Sequence, residues 1–183
     1  MSGSDKRVEQ WSELAPPFVP DVAFAGNAET GRAYWFVGNL WVVLVDGRQT
    51  AGAYSLMEQL MPKDSGPRVV HIHPIDEWFY VLEGQMTVEA GGKTIVGRPG
   101  DSLWIPRGTV HRFTVTSPIC RALNGYVPAG FEQVIIGLGT RAERRELPPP
   151  MEPPSQVTLD KFFNNYWCVD AQQEYALSRM GIR

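Results

Sequence analysis

The sequence predicts an all-β fold, a jelly roll or related β-barrel sandwich. Three observations point there. Short apolar stretches follow one another from Tyr34 to Tyr126, turn residues separate them at close intervals, and no helical periodicity intervenes. A length of 183 residues suits one domain with a single core, and 43% hydrophobic with 11% aromatic content is ordinary for a globular chain.

Taken in order, residues 1–30 are rich in Ser, Gly, Pro and charge, with Trp11 and Phe18 as isolated apolar anchors. They read as an arm that packs or swaps onto a second subunit. Residues 31–140 form the barrel. Strands are expected over Tyr34–Val37, Leu40–Val45 and Tyr54–Met61, with Gly38-Asn39 and Asp46-Gly47 as turns between them. Val69–His73, Trp78–Leu82, Gln85–Glu89, Lys93–Val96, Ser102–Ile105, Arg112–Thr116 and Ile119–Tyr126 continue the series, and Gly91-Gly92 closes a tight hairpin within it. Phe131–Gly137 suits a short helix over the barrel mouth. Residues 141–183 supply a proline-rich connection, Leu147 to Pro154, and a helix over Thr158–Met180 with Thr158 as N-cap and Gly181 as stop.

The chemistry concentrates in His71-Ile72-His73-Pro74-Ile75-Asp76-Glu77. Side chains alternate faces along a strand, so His71 and His73 point one way and Glu77 keeps their odd parity. Pro74 lacks an N–H, which breaks or bulges the strand before pairing resumes at Trp78. The chain has three histidines, and the third, His111, follows the turn Pro106-Arg107-Gly108. Three imidazoles and one carboxylate suit a divalent transition metal, one per chain: iron, nickel, manganese, cobalt, copper or zinc. Asp76 has the opposite parity and is expected to face away from the site. Phe79 and Val81 share the parity of Glu77, and Phe113 that of His111, so they line a cavity together with Met57 and Gln59 from a neighbouring strand. Taken singly, each also fits plain core. Trp35, Trp41, Trp78 and Trp104 read as packing.

These residues resemble the two motifs of the cupin superfamily. His71, His73, Glu77 and Gly84 fall at the spacing of the first motif, with Gly66 one residue too close to His71. Gly100, Pro106, Gly108 and His111 match the second, whose closing Asn is replaced by Val115. The resemblance implies a single cupin barrel whose ligands are His71, His73, Glu77 and His111. Within that superfamily the chain looks most like the single-domain flavonol (quercetin) dioxygenase-like proteins. It shares with them its length, a polar arm, Phe131-Glu132, the Leu147 to Pro150 stretch and a final helix ending near Gly181-Ile182. That likeness implies a dioxygenase acting on an aromatic or polyphenolic compound, with Glu77 taking the substrate proton and dioxygen as co-substrate. The same ligands also serve a redox-neutral cyclase, isomerase or dehydratase on a polyketide-like substrate, or a cupin that only binds a small molecule.

A formal charge of −3 and scattered Lys and Arg offer no field for nucleic acid or an anionic membrane. Met1 to Gln10 lacks an apolar core of the signal-peptide kind, and the longest apolar run, Leu40 to Val45, is too short for a bilayer. Cys120 and Cys168 form no CxxC pattern and suit a reducing cytosol. The expectation is a cytoplasmic protein, a homodimer held by its arm and exposed strand edges.

Overall fold

The structure is a computed structural model that describes residues 23–67 and 70–150, with positions 152, 155, 157 and 158. The arm up to residue 22 and the helix expected beyond Thr158 lie outside the described residues. Val157 and Thr158 are helical and Ser155 Oγ accepts a hydrogen bond of 3.2 Å from the Thr158 N–H, so Thr158, expected as the N-cap, is itself a helical residue whose amide is capped.

Asn27 Oδ1 accepts from the N–H groups of Glu29 and Thr30, a local turn that delivers the chain into β1 (Arg32–Phe36). The strands that follow are β2 (Asn39–Val45), β3 (Ser55–Pro62), β4 (Asp76–Glu83), β5 (Met86–Ala90), β6 (Lys93–Gly97), β7 (Ser102–Ile105), β8 (His111–Val115) and β9 (Ile119–Val127). An eight-residue helix, α1 (Phe131–Leu138), and a two-residue strand, β10 (Thr140–Arg141), complete the described elements. All strand pairs are antiparallel, in a seven-stranded sheet of order β10-β1-β2-β3-β9-β4-β7 and a three-stranded sheet of order β6-β5-β8.

The all-β jelly-roll expectation holds, and nearly every strand lies within two residues of where alternation put it. One does not. At the described positions of Val69–His73 there is only an isolated antiparallel bridge, His71 to His111, with two backbone hydrogen bonds of 2.9 Å. Pro74 and Pro67 flank the segment, and proline cannot donate to a ladder. The first hairpin turn is Val37-Gly38 rather than Gly38-Asn39, because Asn39 already pairs with Phe36.

The main core lies between the sheets. Met61, Phe79, Val81, Leu103, Ile105, Cys120 and Ala122 come from the large sheet and Met86, Val88, Phe113 and Val115 from the small one. A second cluster continues the inner face of the large sheet past the site. There Tyr34, Phe36, Trp41, Val43, Met57 and Tyr126 pack against Val134 and Ile135 of α1. Glu132 ties that helix down: its buried carboxylate accepts from Gly47 N at 2.9 Å in the loop after β2 and from Gly130 N at 2.7 Å. Trp35 and Trp41 are packing as expected, but Trp104 is 54% exposed on the outer face of β7, where alternation within a four-residue strand turns it to solvent. Among the described residues no helix is long and apolar enough to cross a membrane.

Candidate metal centre

Backbone pairing brings the four ligands expected from the sequence together. His71 and His111 lie directly opposite each other in their bridge, a position that puts two side chains on the same face. Gly108 N donates to His73 O at 2.9 Å, so the whole His71–His73 segment lies along the turn leading into β8. Gly108 has φ +71°, the left-handed conformation this turn needs. Asp76 faces away from the site, as its parity implies, and clamps the same turn: it accepts from Arg107 N at 2.7 Å, Nε at 3.2 Å and Nη2 at 2.7 Å. That bidentate pairing holds the Asp76 carboxyl below its usual range. Glu77 comes from β4 of the large sheet and His111 from β8 of the small one, so the centre bridges the two sheets.

One potential ligand atom from each of His71, His73, Glu77 and His111 lies within 4.8 Å of every other. His73, Glu77 and His111 are buried and His71 is half-buried. Two of the rings have a settled orientation. His73 Nδ1 is 2.7 Å from Ile75 O and His111 Nδ1 is 2.8 Å from Thr109 O. A carbonyl only accepts, so both Nδ1 atoms carry the proton and both Nε2 atoms turn to the centre. There they meet Glu77 Oε2 at 3.2 Å and 3.1 Å.

Two imidazole lone pairs and a carboxylate oxygen do not sit this close without positive charge between them. Protons on both Nε2 atoms supply it at the cost of two neighbouring imidazolium rings, whose centroids are 4.7 Å apart, in a buried site. One divalent cation supplies it without that repulsion, and the donor set of neutral imidazoles and an anionic carboxylate is the one transition ions take. The residues fit a metal. Without one, burial raises the Glu77 carboxyl, but hydrogen bonds from His111 and His73 outweigh it and hold the group well below the usual range. Burial likewise disfavours the His111 cation, and the hydrogen bond to Glu77 overcomes that and raises it.

The other carboxylate oxygen is engaged by residues that motif reading missed. Tyr126 donates its hydroxyl to Glu77 Oε1 at 2.6 Å, and Asn124 Nδ2 donates to the same oxygen at 3.1 Å. Burial first, and the Glu77 charge next, push the Tyr126 phenol well above its ordinary value, so it remains a donor. The sequence does carry a signal: in β9 the inward positions are Cys120, Ala122, Asn124 and Tyr126, and the last two are polar where the pattern asks for apolar.

Of the side chains expected around a cavity, Phe79 and Phe113 meet edge to face at 5.1 Å, two residues beyond Glu77 and His111 and within the core between the sheets. Met57 is fully buried beside Trp41 and Tyr126. Gln59 is fully buried and donates to Asn124 Oδ1 at 2.6 Å, which connects it to the ligand network.

Comparison with known proteins agrees with this geometry. Residues 56–123 match the cupin domain family. Quercetin 2,3-dioxygenase of Bacillus subtilis is 30% identical over 169 residues, 90% of this chain and 47% of that protein, so the chain spans about half the length of this curated relative. Among solved structures, KdgF from Halomonas sp. superposes with a TM-score of 0.52 at 18% identity, over 61% of this chain and 98% of that one. An RmlC-like cupin from Shewanella frigidimarina gives 0.51 at 18% identity, over 61% and 96%. Both motifs meet at one centre in a jelly roll, and the matched segment that contains all four side chains, residues 56–123, is a cupin domain.

Proposed function

We propose that this cupin is a metal-dependent dioxygenase acting on an aromatic or polyphenolic, flavonol-like small molecule, with one divalent transition metal per chain. The observation that carries the reading is the constellation of buried His73, Glu77 and His111 with half-buried His71, and the 30% identity to a quercetin dioxygenase supports the choice of reaction. His71, His73, His111 and Glu77 Oε2 would hold the ion, which would supply Lewis-acid chemistry by lowering the pKa of a coordinated hydroxyl. Glu77 alternates between ligand and base: released from the ion, its Oε2, the oxygen that faces the histidines, accepts the hydroxyl proton of the substrate. The carbonyls of Ile75 and Thr109 keep two imidazoles turned inward while this happens. Met57, Phe79 and Phe113, expected from the sequence to line a substrate cavity, are packed into the core instead. There they back the centre with apolar side chains and keep water from it, and Gln59 reaches it through Asn124. We place the protein in the cytosol, as a two-fold dimer.

Oxygen decides the reaction class. Wild-type protein loaded with each candidate metal should consume oxygen in step with a phenolic substrate and stop under nitrogen. Undiminished product under strict anaerobiosis would sink the dioxygenase and favour redox-neutral chemistry on the same ligands. Glu77→Gln is expected to keep some metal on three histidines and to lose turnover by about a hundredfold or more, since the amide is no base.

A further inference from the structure

We infer that Tyr126, Asn124 and Gln59 are positioning residues that restrict Glu77 to a single ligating oxygen. The inference rests on the metal-centre reading and not on the dioxygenase reading.

The argument is one of donors and acceptors. A carboxylate oxygen has about two lone-pair sites. On Glu77 Oε1 both are taken, by the Tyr126 hydroxyl at 2.6 Å and by Asn124 Nδ2 at 3.1 Å. Oε2 alone is left facing His73 and His111. The Asn124 amide cannot be turned around, because its Nδ2 lies 3.1 Å from both Glu77 Oε1 and Trp78 O, two groups that only accept. Its Oδ1 must then face Gln59, and it receives Gln59 Nε2 at 2.6 Å. Gln59 therefore sets the orientation of Asn124, and Asn124 that of Glu77. Tyr126 is held in turn by Phe131 of α1, with ring centroids 4.7 Å apart.

The network is closed. Gln59 and Asn124 are 0% exposed and Tyr126 and Glu77 only 3%. It is also anchored across three neighbouring strands, β3, β9 and β4, which are hydrogen-bonded to one another in that order. Gln59 Oε1, at the far end, is buried with no hydrogen-bond partner among the described residues. A buried acceptor left unmet is a cost a leucine at this position would not carry. Its presence is accounted for by what the other end of the same amide does.

A carboxylate free to chelate would take two positions on an ion, whereas one held this way takes a single position and leaves more for exogenous ligands. Zinc is the probe, since it is redox-inert and independent of any oxygen chemistry. Zinc dissociation constants come from chelator competition. The separation of the carboxylate stretching bands, in zinc-loaded minus zinc-free infrared difference spectra, is wide for one-oxygen and narrow for two-oxygen binding.

Wild type should show the wide separation. Tyr126→Phe and Asn124→Ala should each narrow it and weaken zinc binding by about 10- to 100-fold. Gln59→Leu, whose native hydrogen bond goes to Asn124 and not to Glu77, should shift both readouts in the same direction by a smaller factor. Tyr126→Phe keeps its ring against Phe131 and carries the test even if Asn124→Ala does not fold. Unchanged zinc affinity and band separation in Tyr126→Phe and Gln59→Leu, or a narrow separation in wild type, overturns the inference. A wild type that binds no zinc overturns the metal-centre reading with it, whereas a zinc-binding protein that consumes no oxygen with any metal ends the dioxygenase reading alone.

Discussion

His111 is the residue on which the centre depends most, because it joins the two sheets and its Nδ1 is already committed to Thr109 O. In His111→Ala, metal content should fall well below one per chain. A bound ion at a hundred times its dissociation constant contributes about 2.7 kcal/mol to stability. The rise in unfolding temperature that metal produces in wild type should therefore vanish in the variant, and a variant with unaltered metal content and unfolding temperature would refute the ligand assignment. Cys120 sits elsewhere in the core at 0% exposure, and burial, reinforced by the Glu83 charge, pushes its thiol up to about 11. Native protein at pH 8 should leave Cys120 unlabelled by iodoacetamide, with labelling appearing on denaturation. Peptide mass spectrometry distinguishes it from Cys168.

Among the elements, β9 has the most exacting role, since it pairs with β3 on one side and β4 on the other and turns Asn124 and Tyr126 inward. Its opposite face is specified by an absence. Gly125 lies across from Trp78, and a Cβ at Gly125 would stand 2.2 Å from the Trp78 indole. Gly125→Ala must displace that ring or bend the strand, and should destabilise the fold by about 1–3 kcal/mol. Urea unfolding measures this. Metal content should be unchanged in the folded variant, since the substitution points away from the site. Gly66 illustrates the same constraint in a loop: its φ is +137° and a Cβ would meet Phe113 O at 2.0 Å, so the glycine is demanded by the close passage over β8 whatever its spacing from His71.

On the scale of the whole molecule, the proposed dimer is expected to pair through the outer face of the large sheet. β7 is an edge strand, and Trp104, Tyr80 and Leu82 on the outer face of β7 and β4 are 54%, 40% and 38% exposed. Exposed edges and apolar faces favour pairing with a second copy. Light scattering at micromolar concentration should give about twice the 20.5 kDa chain mass. Trp104→Glu should shift the species towards monomer while leaving metal content at one per chain, and a wild-type monomer would remove the dimer.

The sequence by itself determined the β architecture and singled out the four side chains that the fold brings together. Alternation is a local property, and His71, His73 and Glu77 lie within seven residues, so parity and spacing suffice for them. His111 was legible for a related reason: a chain with three histidines leaves few ways to complete a four-ligand set. Local patterns could not show that the His71–His73 segment pairs through a single bridge, because the ladder it lacks depends on which strand lies opposite and on the prolines beside it. Nor could they assign Gln59, Asn124 and Tyr126 to Glu77. Those residues lie 18, 47 and 49 positions from it along the chain. Only the register of β3, β9 and β4 sets the three polar groups around one carboxylate, and a register is decided by tertiary packing over the whole length of neighbouring strands.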